Sequence, residues 1–114
     1  MSVESVGHRR WPNLIISRSG ASTMNAVPTL QIENERVIVT KWTFPPGAET
    51  GDHVHGYDYV VVPLTTGKLG LAEPTGVRDV ELTAGGSYAR LTGVAHNVIN
   101  INEYEFSFVE IELK

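Results

Sequence analysis

The chain of 114 residues has four histidines, and two of them, His53 and His55, are separated by a single residue. Residues two apart on an extended strand point to the same face, so both imidazoles can reach one ion. Neutral imidazole is a common ligand for transition metals, with bonds of about 2.0–2.1 Å to zinc. A third ligand is available in His96, which follows Gly93 in a turn and opens the run His96-Val98-Asn100. It is expected to face the pair across a barrel. With no cysteine in the chain, thiolate sites and disulfides are excluded, and any metal must rest on nitrogen and oxygen.

The elements that must position these residues read as strands. Gly and Pro interrupt every segment long enough for helical periodicity. Arg36 to Phe44 is rich in β-branched and aromatic residues and ends at Pro45-Pro46-Gly47, where the chain must turn. Further strand signals run over Tyr57 to Leu64, Lys68 to Ala72, Val77 to Leu82, Ser87 to Leu91, Asn97 to Ile101 and Tyr104 to Leu113. Close spacing without βαβ units points to an all-β sandwich or barrel of antiparallel hairpins. The last strand is apolar on both faces, with Tyr104, Phe106 and Phe108 in one row and Val109, Ile111 and Leu113 in the other. One of these rows is expected to pack on a second subunit, unless residues Asn13 to Ile16 fold back to cover it.

Composition narrows the function. Thirteen acidic against nine basic residues give a net charge of -4, and no basic run exceeds Arg9-Arg10, so a nucleic-acid footprint is missing. The segment Met1 to Trp11 is polar and contains His8, with no apolar stretch that could form a signal peptide or span a bilayer. No membrane association and a cytoplasmic location are expected.

Two spacings then carry a family likeness. Gly47, five residues, His53-Val54-His55 and, further on, Gly67 form the first; Gly85, five residues, Leu91-Thr92-Gly93-Val94-Ala95-His96, three residues and Asn100 form the second. Together they resemble the two signature motifs of the cupin superfamily, Gly-x5-His-x-His-x3-4-Glu-x6-Gly and Gly-x5-Pro-x-Gly-x2-His-x3-Asn. The resemblance implies a single-domain cupin β-barrel, an RmlC-like jelly roll, over residues 36–114. Residues 1–35 would then be an N-terminal arm with strands at a homodimer interface. It also implies His53, His55 and His96 as metal ligands. Two positions depart from the pattern. Leu91 holds the proline slot, and the glutamate slot holds Val60 by its distance from Gly67, or Tyr59 under the shorter spacing. Without that carboxylate, three neutral ligands leave the ion its full charge, which favours anionic bidentate substrates.

Three-histidine cupins similar to this pattern include non-haem iron dioxygenases acting on thiols, β-diketones and hydroxylated aromatic acids. Fe(II) is therefore the expected ion, with Ni, Zn, Cu and Mn as alternatives on an imidazole set. Tyr57 to Leu64, His96 to Asn100 and Phe108 to Leu113 also resemble small bacterial cupins of the β-alanine degradation type, which adds small carboxylates to the candidate substrates. The leading expectation is Fe(II)-dependent oxygenative cleavage of a small chelating substrate. The alternative is a non-catalytic, metal-containing binding or regulatory module, since the fold does not fix function. A sugar isomerase is disfavoured by the want of a further His or Lys to act as base.

Around the histidines, Tyr57 and Tyr59 are candidate donors to a bound oxyanion or simple packing residues. Arg90, two residues after Tyr88, is a candidate carboxylate anchor, although pairing with a glutamate such as Glu110 is the favoured reading. Asp52 and Asp58 are candidates to orient the imidazoles, or sit in solvated loops. Trp42, Phe44, Phe106 and Phe108 read as core, and His8 is assigned no role.

Overall fold

The computed structural model describes the backbone of residues 3–5 and the whole of residues 24–114. His8 and the segment 13–16 lie outside the described residues, so their expected places are not addressed. The strands are β1 (Val3–Ser5), β2 (Val27–Glu33), β3 (Val37–Phe44), β4 (His53–His55), β5 (Asp58–Pro63), β6 (Gly67–Glu73), β7 (Gly76–Leu82), β8 (Tyr88–Arg90), β9 (Ala95–Asn100) and β10 (Phe106–Leu113). The described residues contain no helix. One sheet has the order β1-β4-β9-β6-β7 and the other β2-β3-β10-β5-β8, with each neighbouring pair antiparallel. This is a two-sheet jelly roll.

Strand β3 shows why the sheets enclose a core. Ile38, Thr40, Trp42 and Phe44 alternate inward while Val37, Val39, Lys41 and Thr43 face out. Across the ladder, Phe44 pairs with Phe106 and Trp42 with Phe108, and the Phe44 and Phe108 rings sit 5.4 Å apart. Leu69, Leu71 and Val98 from the opposite sheet close the same apolar cluster.

The final strand corrects one expectation. Its inner row is Phe106, Phe108, Glu110 and Glu112, and its outer row is Ser107, Val109, Ile111 and Leu113. Tyr104 belongs to neither row: it precedes the strand, is exposed, and donates its hydroxyl proton to Thr66 O at 2.9 Å. The inward face of β10 is thus half aromatic and half acidic.

Two motif residues hold the corners. The buried Asn100 amide reaches the carbonyls of Phe44, Pro45 and Tyr104 at 3.0, 3.2 and 2.8 Å, tying the Pro-Pro-Gly turn to the loop before β10. Gly67 lies against that loop so closely that a Cβ would meet Tyr104 Oη at 2.6 Å and Asn102 Oδ1 at 2.7 Å. Any side chain there would have to displace it.

Candidate metal centre

Strands β4 and β9 are neighbours, and His53 and His96 are direct register partners. The third imidazole therefore comes from the adjacent strand of the same sheet, not from across the barrel. The turn that delivers it is fastened to His55: His55 N–H donates to Val94 O at 2.9 Å, and Gly93 N–H donates to His55 O at 2.8 Å. Gly93 sits at φ 91°, a region open to glycine and strained for other residues. Asp58 accepts the Thr92 N–H at 2.7 Å, so it braces this turn and does not orient an imidazole. Leu91, in the proline slot, is exposed.

All three histidines are buried. Their Nε2 atoms converge, 3.1 Å apart for His53 and His55 and 3.0 Å for His55 and His96. For metal–nitrogen bonds of about 2.1 Å, such edges subtend angles of roughly 90–95°, which suits three ligands on one face of an ion better than a closed tetrahedron. Burial pushes the rings' pKa values down from 6.5, to about 4 for His53, about 3 for His55 and about 2 for His96, with the neighbouring imidazoles adding to the effect at His55 and His96. The rings are neutral at physiological pH, and protons do not compete for the inward nitrogens. The donor set fits a divalent metal.

Each ring is held differently. His53 Nδ1 lies 2.9 Å from Gly51 O; a carbonyl only accepts, so the proton sits on Nδ1 and Nε2 presents its lone pair. Asn97 Oδ1 accepts the Gly51 N–H at 2.9 Å, and its amide donates to Glu49 at 2.8 Å. This buried Asn97, one residue beyond His96, had no signal in the motif spacing. His55 stacks on Tyr59, with centroids 3.9 Å apart and planes at 19°. On its far side Nδ1 lies 3.8 Å from Glu110 Oε2. Burial and the adjacent Glu112 push Glu110 up to about 8, while the Trp42 indole N–H acts the other way.

Along β5, Tyr59 and Val61 face the interior and Val60 faces outward. Of the two residues the spacing allows in the glutamate slot, Tyr59 faces the interior and its ring covers His55. Tyr57 is half-buried and outside the cavity lining. A narrow cavity joins His53 and His96 to Trp42, Tyr88, Arg90 and Glu110. Arg90 does not pair with Glu110; its ion-pair partner among the described residues is Glu73, at 3.9 Å.

A two-sheet jelly roll with three convergent imidazoles on adjacent strands defines a cupin, and the chain belongs to the cupin superfamily. It is 60% identical over 89 residues to the β-alanine degradation protein BauB of Pseudomonas aeruginosa, a match covering 78% of this chain and 94% of that protein. A crystal structure of a cupin domain from Bordetella pertussis superposes with a TM-score of 0.82 at 59% identity, over 83% of this chain and 99% of the other. A cupin superfamily protein of Desulfitobacterium hafniense shares the fold at a TM-score of 0.62 and 14% identity, over 99% and 98% of the two chains. No family model matches the chain.

Proposed function

We propose that the chain is a metal-dependent cupin which, loaded with Fe(II), acts as a non-haem dioxygenase on a small chelating substrate such as a β-diketone or keto acid. The observation that carries this reading is the convergence of three buried, neutral imidazoles at a cavity into which β5 turns Tyr59 and no carboxylate. Such an ion would supply Lewis acidity and adjacent open positions for substrate and dioxygen. The chain's own residues do the rest. Gly51 O and Tyr59 fix the ligand rings, while Trp42, Val61 and Leu71 line an apolar wall that excludes water from a bound organic molecule. The name of the Pseudomonas relative favours small carboxylates as substrates.

The same reading places the protein in the cytoplasm as a homodimer. No helix among the described residues is long and apolar enough to cross a membrane. The experiment is oxygen uptake by the Fe(II)-loaded protein with acetylacetone or a small keto acid. Oxygen consumed in step with substrate cleavage, and lost in His96→Ala, supports the enzyme. Tight substrate binding without oxygen consumption would favour a non-catalytic binding module.

A further inference from the structure

Beside the cavity of the metal centre lies a groove lined by residues of the two sheets' edge strands, Arg78, Val80 and Leu82 of β7 and Tyr88 and Arg90 of β8. Leu71, Tyr88 and Arg90 line both the cavity and this groove. Two cations therefore line the groove. A single carboxylate, Glu73, lies between them, and Arg78 already engages both of its oxygens, Nε to Oε1 at 2.8 Å and a terminal nitrogen to Oε2 at 3.3 Å. Arg90 is left with a 3.9 Å approach to Oε2, too long for a hydrogen bond. Its side chain is 29% exposed.

Arg90 is also near the chemistry. It is the register partner of Tyr59, whose ring lies 3.9 Å from that of His55, and neighbouring strands are about 4.8 Å apart. A planar guanidinium with free donors at a cavity wall matches a carboxylate, which it can take through two parallel hydrogen bonds.

We infer that Arg90 is the specificity-determining residue of the cavity, binding a carboxylate at one end of a small substrate whose chelating end lies against His53, His55 and His96. This rests on the reading of the histidines as a metal centre. It narrows the substrate class to chelating molecules that carry a carboxylate tail, and it makes Glu73, by occupying Arg78, the residue that limits the positive charge in the groove.

The test uses the Zn(II)-loaded protein, which is redox-silent, and two probes with the same diketone: succinylacetone (4,6-dioxoheptanoate) and its methyl ester. Calorimetry should show the acid binding about ten-fold or more tightly than the ester, the size expected for a charge-assisted hydrogen-bonded pair. Arg90→Gln should remove that preference without changing the ester's affinity, Arg90→Lys should restore part of it, and Glu73→Gln should strengthen binding of the acid alone. Equal affinities in the parent, or a preference that survives in Arg90→Gln, would overturn the assignment while leaving the metal centre standing. Failure of both probes to bind the metal-loaded parent would overturn the chelating site and the assignment with it.

Discussion

His55 presents Nε2 to His53 and His96 and, from the opposite side of the ring, holds Nδ1 3.8 Å from Glu110 Oε2. At that distance the two are not hydrogen-bonded, and Glu110, pushed up to about 8, is mainly the neutral acid at pH 7; drawn into hydrogen-bond range behind a metal-bound ring, such a group fixes the imidazole's tautomer, and losing it typically costs about 10–100-fold in metal affinity. Glu110→Gln should weaken divalent ion binding by that order in a chelator competition. It should leave the metal-free protein at least as stable, because it removes one of two adjacent buried acids. Unchanged metal affinity would mean that Glu110 is only a wall of the cavity.

The metal-free protein should have a stability maximum near pH 6.5. Its imidazoles are lowered from 6.5 to about 4, 3 and 2, so below pH 6.5 the unfolded chain takes up protons that the folded one refuses. Their contribution is present above that pH and lost as pH falls toward the folded values. Glu110 is raised from 4.5 to about 8, so its contribution is complete below 4.5 and lost as pH rises through 8. With three groups opposing one, urea midpoints should fall steeply on the acid side and gently on the alkaline side. A flat profile between pH 7 and 4 would contradict the burial of neutral rings.

Position 59, not 60, should respond to a new carboxylate. Tyr59→Glu should tighten binding of a divalent ion and weaken binding of azide to the metal-loaded protein, since an anionic ligand offsets the ion's charge. It should also destabilise the metal-free form by about 2–4 kcal/mol, because a buried aromatic ring is lost. Val60→Glu, on the outer face, should change neither affinity. Azide and metal titrations of the two variants check this.

The outer face of the second sheet should form a homodimer. Ile111 lies between Val39 and Val60, and Val109 beside Val62, giving a continuous apolar surface. Ile32, the register partner of Val39, extends it on β2 and is about half exposed. A stable interface of standard size would bury about 1,600 Å². Light scattering at micromolar concentration should give about twice the chain mass of 12.5 kDa, and Ile111→Lys should shift it toward the monomer. A parent mass of 12.5 kDa would exclude the dimer.

Strands β3, β5 and β10 were legible because they are rich in β-branched and aromatic residues, β6 because Leu69, Leu71 and Ala72 follow a turn, and the histidine spacing pointed to a shared face. β2 carried no such signal: it begins Val27-Pro28, and all seven of its residues are exposed. The acidic half of β10 was legible only in part. Glu110 and Glu112 share the parity of Phe106 and Phe108, so the period of two placed them inside, but charge in a terminal strand reads as solvent. Choosing between Tyr59 and Val60 needed the register of β5, because motif spacing allowed either. That Arg90 approaches Glu73 and not Glu110 depends on how the two sheets face each other, which no local pattern encodes.

The central claim is that His53, His55 and His96 together hold one metal ion. The direct measurement is elemental analysis after loading with Fe(II) or Zn(II) and gel filtration, on the parent, His96→Ala and His8→Ala. The parent and His8→Ala should each retain close to one ion per chain, and His96→Ala should retain little. Full retention in His96→Ala, or none in the parent, would contradict the account.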